Sequence, residues 1–86
     1  MKKVKLFYLQ HCPFCKKAFR YIEEAKLKHP ELADLEIELI EESEQADVAD
    51  KYDYYYVPTF YVDGQKVHEG GIYYEEVEQI LLSCLE

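Results

Sequence analysis

The tetrapeptide Cys12-Pro13-Phe14-Cys15 constrains this chain more than any other feature. Ahead of it runs Val4–Leu9, apolar at nearly every residue, which suits a central strand covered on both faces. Behind it, Phe14, Ala18, Phe19, Ile22 and Ala25 recur at helical spacing. Pro13 fits the first helical position, where a missing N–H costs nothing, so Cys12 falls at the N-cap. Unpaired N–H groups and the positive end of the helix dipole then point at its sulfur and favour thiolate over thiol. Cys15 lies one turn later, close enough to close a disulfide and turned inward. The pair therefore reads as a redox couple, with Cys12 attacking a disulfide and Cys15 displacing what it captures.

Two other readings use the same residues. Cys12 and Cys15 supply two thiolates to a metal or an iron–sulfur cluster, with His11 or His68 adding nitrogen. A structural zinc wants four ligands and the chain has no second cysteine pair, so a second copy must complete such a site. Alternatively the fold is a peptide platform without redox chemistry. His11 and Lys16 are candidates to tune Cys12; Lys16 and Lys17 sit in the first turn of the helix, near the thiolate. Cys84, on the apolar face of the last helix, reads as structural.

The remaining chain supplies β-α-β-α-β-β-α. His29-Pro30 closes the first helix, because the residue before proline resists helical geometry. Leu35–Ile40 alternates with Glu36 and Glu38, which suits an edge strand. Ser43 is placed to cap a short helix over about 44–52, with Asp53 left-handed at its end. Pro58–Val62 and Lys66–Glu69 flank Asp63-Gly64, a strong hairpin signal. Gly70-Gly71 precedes a last helix whose apolar face holds Ile72, Val77, Ile80, Leu81, Cys84 and Leu85. The crossover makes the first two strands parallel and the hairpin makes the last two antiparallel. The expected fold class is α/β: one domain over 1–86, a four-stranded mixed sheet with helices on both faces.

Charge and cysteine usage narrow the partners. The chain carries a net charge of −8 over 86 residues, which argues against nucleic acid. Three cysteines do not make a secreted disulfide scaffold, and the apolar N-terminal run is too short for a signal peptide or membrane span. A cytoplasmic monomer, with no membrane partner, is the expectation. Glu41, Glu42, Glu44 and Asp47 form an acidic rim beside the cysteines. Tyr54, Tyr55 and Tyr56 lead into Val57-Pro58, most of them expected to pack on the sheet with wet hydroxyls.

Cys12–Cys15 after the first strand, Val57-Pro58-Thr59-Phe60 opening the third and Glu69-Gly70-Gly71 before the last helix occur in an order that resembles the thioredoxin superfamily, and within it a small glutaredoxin. The resemblance implies a thioredoxin-like fold, a cis Val57–Pro58 bond lying against the cysteines, and a disulfide oxidoreductase. It implies substrate contacts from Pro13, Phe14, Val57, Pro58, Gly70 and Gly71. It also implies a disulfide-bearing protein or small thiol as substrate, a reductase as electron donor and no resident cofactor. The chain departs from the pattern that holds glutathione, a polar or acidic residue after the paired glycines; here the glycines lead into Ile72, Tyr73 and Tyr74. Glutathione as co-substrate is therefore left open.

Overall fold

The computed structural model describes residues 1–86. Strand β1 is Val4–Tyr8, α1 is Pro13–Lys28, and a 3-10 turn spans Pro30–Leu32. Strand β2 is Ile37–Glu41, α2 is Ala46–Ala49, β3 is Thr59–Val62, β4 is Gln65–Glu69 and α3 is Tyr74–Ser83. The sheet order is β2-β1-β3-β4. Strand β1 pairs parallel with β2 and antiparallel with β3, and β3 pairs antiparallel with β4. The expected α/β architecture is thus the observed one.

Helices α1 and α3 cover one face, where Leu6, Phe60, Ala18, Ile22, Val77 and Leu81 share the main core. On the other face Phe7, Ile40, Ala49 and Tyr61 form a smaller cluster under α2 and the 52–57 loop. Asp63 (φ 49°) and Gly64 (φ 83°) are both left-handed, the two-residue turn that matches strand twist. Strand β2 is an edge, and its Glu38 pairs with Lys5 at 2.8 Å across the parallel ladder. No helix is long and apolar enough to cross a membrane.

Several boundaries differ from the sequence expectation. Leu35 lies outside β2, because β1 begins at Val4, opposite Ile37, and Leu35 closes a turn by donating to Leu32 at 3.0 Å. Pro58 lies outside β3: the β1–β3 ladder ends on Phe7 and Thr59, and proline has no N–H to extend it. Helix α2 is much shorter than residues 44–52. Ser43 does not cap it, because its hydroxyl and its N–H both donate to Glu41 at 2.6 Å. Asp53 is not left-handed. Its carbonyl instead accepts the Tyr61 hydroxyl at 2.8 Å and the Lys66 ammonium at 3.2 Å.

Candidate functional site

Cys12 is the N-cap of α1, in extended geometry (φ −84°, ψ 120°), with Pro13 directly inside the helix. The N–H groups of Phe14 and Cys15 have no backbone partner, and the first turn holds no acid. Lys16 and Lys17 are exposed there instead. The helix start thus offers Cys12 unpaired donors and cations from its own first turn. Cys12 is half-buried and Cys15 fully so, and both are free thiols. Burial pushes the Cys15 thiol up to about 12, and a hydrogen bond to the Cys12 sulfur pushes the same way; the Leu9 N–H partly offsets them. One sulfur of the pair is thus partly open to solvent and the other is withheld from it.

The loop leading to Cys12 is held by a residue whose sequence position suggested only a rim acid. Glu41 is the last residue of β2 and only 5% exposed. One carboxylate oxygen accepts the Gln10 N–H at 2.9 Å. The other accepts the Ser43 hydroxyl and N–H and, at 3.2 Å, the Glu44 N–H. The Ser43 hydroxyl first, then these N–H groups, hold its carboxyl below the usual range. An open cavity of about 400 Å³ lies here, lined by Leu9, Gln10, His11, Cys12, Glu41 and Ser43. His11 is exposed on its wall. A larger cavity of about 610 Å³ lies around Lys2, Lys3 and Asp34, and neither Cys12 nor Cys15 lines it.

Phe14, between the two cysteines in the chain, meets Gly71, and the neighbouring Gly70 meets Pro58. A Cβ built on Gly71 would meet the Phe14 ring at 3.4 Å, and one on Gly70 would meet Tyr56 Cβ at 3.8 Å. Gly70 is left-handed (φ 90°), and its N–H donates to the Pro58 carbonyl at 2.8 Å. The Val57–Pro58 bond is cis. Neither the N–H nor the C=O of Val57 bonds to any other backbone group. Phe14 is exposed, and Lys17 Nζ lies 5.7 Å from its ring centroid.

The tyrosines divide. Tyr54 packs on Phe7 and donates its hydroxyl to Glu42 at 2.7 Å; burial first, then Glu42, pushes that hydroxyl up. Tyr55 and Tyr56 do not pack on the sheet and are 84% and 71% exposed. Cys84 is buried, its thiol donating to the Ile80 carbonyl at 3.1 Å, and burial pushes it up as well. His68 faces the Gly71 carbonyl at 2.8 Å and Glu76 at 3.5 Å. No three His, Cys, Asp or Glu side chains come together as a metal-binding group.

Comparison with known proteins bears on this arrangement. A family model described as "Thioredoxin domain" matches residues 2–82. No curated protein matches the chain. Among solved structures, a Fasciola hepatica thioredoxin superposes with a TM-score of 0.69 at 21% identity, covering 96% of this chain and 80% of that one. A single-substitution mutant of a thioredoxin from Halobacterium salinarum NRC-1 gives 0.68 at 23%, covering 99% and 75%. Human ERp44 in a zinc-bound form gives 0.62 at 17%, covering 95% of this chain but 26% of that one. At such identities these structures share the fold with this chain.

Proposed function

The chain belongs to the thioredoxin-domain family, and from that premise we propose that it is a dithiol–disulfide oxidoreductase in which Cys12 attacks and Cys15 resolves. The observation that carries this reading is the unequal pair at the start of α1. Cys12 is accessible and faces unpaired N–H groups, while Cys15 is buried against it with its proton held.

The cycle follows from that inequality. The Cys12 thiolate attacks one sulfur of a substrate disulfide; that S–S bond breaks and the distal sulfur leaves as a thiolate. A mixed disulfide now joins Cys12 to the substrate. Cys15 loses its proton as it attacks the Cys12 sulfur, and the second substrate thiolate departs. The protein's two thiols become one disulfide, and the substrate disulfide becomes two thiols. An external dithiol must then return two electrons. Pro13, Phe14, Val57, Pro58, Gly70 and Gly71 frame the approach, and the unengaged Val57 backbone suits an extended peptide. Lys16, in the first turn of α1, and His11, which lines the same cavity as Cys12, are the candidates to tune it.

The glutaredoxin-like subtype, with glutathione as co-substrate, fits this chain less well than a protein dithiol donor. Ile72 is buried, and Glu75 and Glu76 occupy the first turn of α3. Those acids and the net charge of −8 oppose an anionic tripeptide. The reading needs no resident cofactor and only one chain, in a reducing compartment such as the cytoplasm.

The test is the Cys15→Ser variant. It should accumulate a mixed disulfide on Cys12, read as added mass that dithiothreitol removes, while Cys12→Ser accumulates none. A Cys15→Ser protein that stays unmodified in the presence of disulfide substrate overturns the mechanism.

A further inference from the structure

Tyr55 and Tyr56 combine free rings with a fixed backbone. The carboxylate of Glu69, at the end of β4, accepts the Tyr55 N–H at 2.5 Å and the Tyr56 N–H at 3.0 Å. Lys66, on the same strand, holds that carboxylate at 2.7 Å and also donates to the Asp53 carbonyl at 3.2 Å. The Thr59 hydroxyl donates to the Tyr56 carbonyl. One charged side chain therefore satisfies two consecutive amides of a segment that belongs to no helix or strand. Lys66 first, then the Tyr55 amide, brings the Glu69 carboxyl down to about 2, so the latch stays charged across the physiological range.

The segment so held leads directly into Val57 and Pro58. Tyr56 lies beside Gly70, and the Phe14 ring lies beside Gly71. Large exposed aromatics with ordered backbones lose little entropy when they meet a partner, which is why such residues serve as recognition anchors.

We propose that Glu69 is a positioning residue: its carboxylate fixes the Tyr55–Tyr56 segment, and with it the Val57 backbone, so that a polypeptide disulfide is received beside Cys12. This inference rests on the oxidoreductase reading above. It assigns Glu69 to the recognition of an extended chain and gives it no part in the sulfur chemistry. A small disulfide that reaches Cys12 without touching the 55–57 segment should be indifferent to it.

The experiment compares insulin with 5,5′-dithiobis(2-nitrobenzoate) as substrates for the wild type, Glu69→Ala and Glu69→Gln. In Glu69→Ala the KM for insulin should rise about tenfold, the scale of losing one charge-assisted hydrogen bond, with kcat within about twofold. The rate with the small disulfide should stay within about twofold of wild type. Glu69→Gln, which keeps an acceptor oxygen but loses the ion pair with Lys66, should fall between. Amide exchange at Tyr55 and Tyr56 should quicken in the same order. An unchanged insulin KM in Glu69→Ala, with the wild type active, overturns the latch alone. Equal losses on both substrates also overturn it, because Glu69 would then act on the cysteines or on the fold. A wild type that reduces neither disulfide overturns the oxidoreductase reading, and this inference with it.

Discussion

On the face covered by α1 and α3, twelve buried residues form one core, all of them apolar and only Phe60 aromatic. On the opposite face the apolar cluster has just four buried members, and Tyr52, Tyr54, Val48 and Val57 crowd partly exposed around them. There the hydroxyls of Tyr54 and Tyr61 reach Glu42 and the Asp53 carbonyl. The first face is held by area removed from water, which is large and indifferent to direction. The second is held largely by aromatic edges and directed polar bonds, each worth much less but each fixing an angle. The difference explains where the site sits. The first face supplies the helix that presents Cys12 and Cys15. The second supplies the loops that meet them, and loops need direction more than bulk.

The contrast can be broken by substitution. Phe60→Ala should cost about 3–5 kcal/mol, seen as a lower denaturant midpoint, because the ring is fully buried between the sheet and both long helices. Tyr54→Phe removes only the 2.7 Å bond to Glu42 and should cost about 1 kcal/mol by the same measurement. If the two costs came out equal, the division between an apolar face and a polar-anchored face would fail.

Acid sharpens the contrast with the smallest effect. Glu41 and Glu69 both have folded-state pKa values below the ordinary 4.5, Glu69 about 2. A carboxyl depressed on folding stabilises the protein above its unfolded pKa, and that stabilisation is lost as pH falls through the folded value. The unfolding midpoint should therefore be flat from neutral pH to about 5 and decline from about 4.5 toward 2. Glu41→Gln should reduce that decline and lower the midpoint at neutral pH. Amide exchange at Gln10, Ser43, Tyr55 and Tyr56 should quicken before exchange in α1 and β1 does. Uniform loosening of both faces on acidification would contradict the assignment of these carboxylates to the loops.

Much of the site was readable from the chain because its causes are local. Cys12 at the cap, Pro13 inside the helix and Cys15 one turn on need only the geometry of one helix start. Asp63-Gly64 is equally local, since two adjacent residues that tolerate positive φ make the turn. The misreadings have two causes, a competing local acceptor and partners distant in the chain. Ser43 looked like a cap because a helical stretch comes after it in the chain, but Glu41 turns back to take its hydroxyl. Glu41 read as a rim acid, and its hold on the Gln10 N–H, 31 residues away, could not be read from its neighbours; the Glu69 bond to the Tyr55 N–H spans 14 residues in the same way. Tyr54 and Tyr55 are neighbours of one chemistry, yet one packs on Phe7 and the other stands in solvent.

The amino-acid order alone determined the elements, the four-stranded mixed sheet and the cysteine pair at a helix start, because periodicity, proline and glycine act within a turn or two of themselves. Only the tertiary structure decided which carboxylates are anchors, which tyrosines face outward and where β2 and β3 begin. Those outcomes depend on hydrogen-bond donors brought together from distant parts of the chain, and a donor's direction in space is not written in its neighbours.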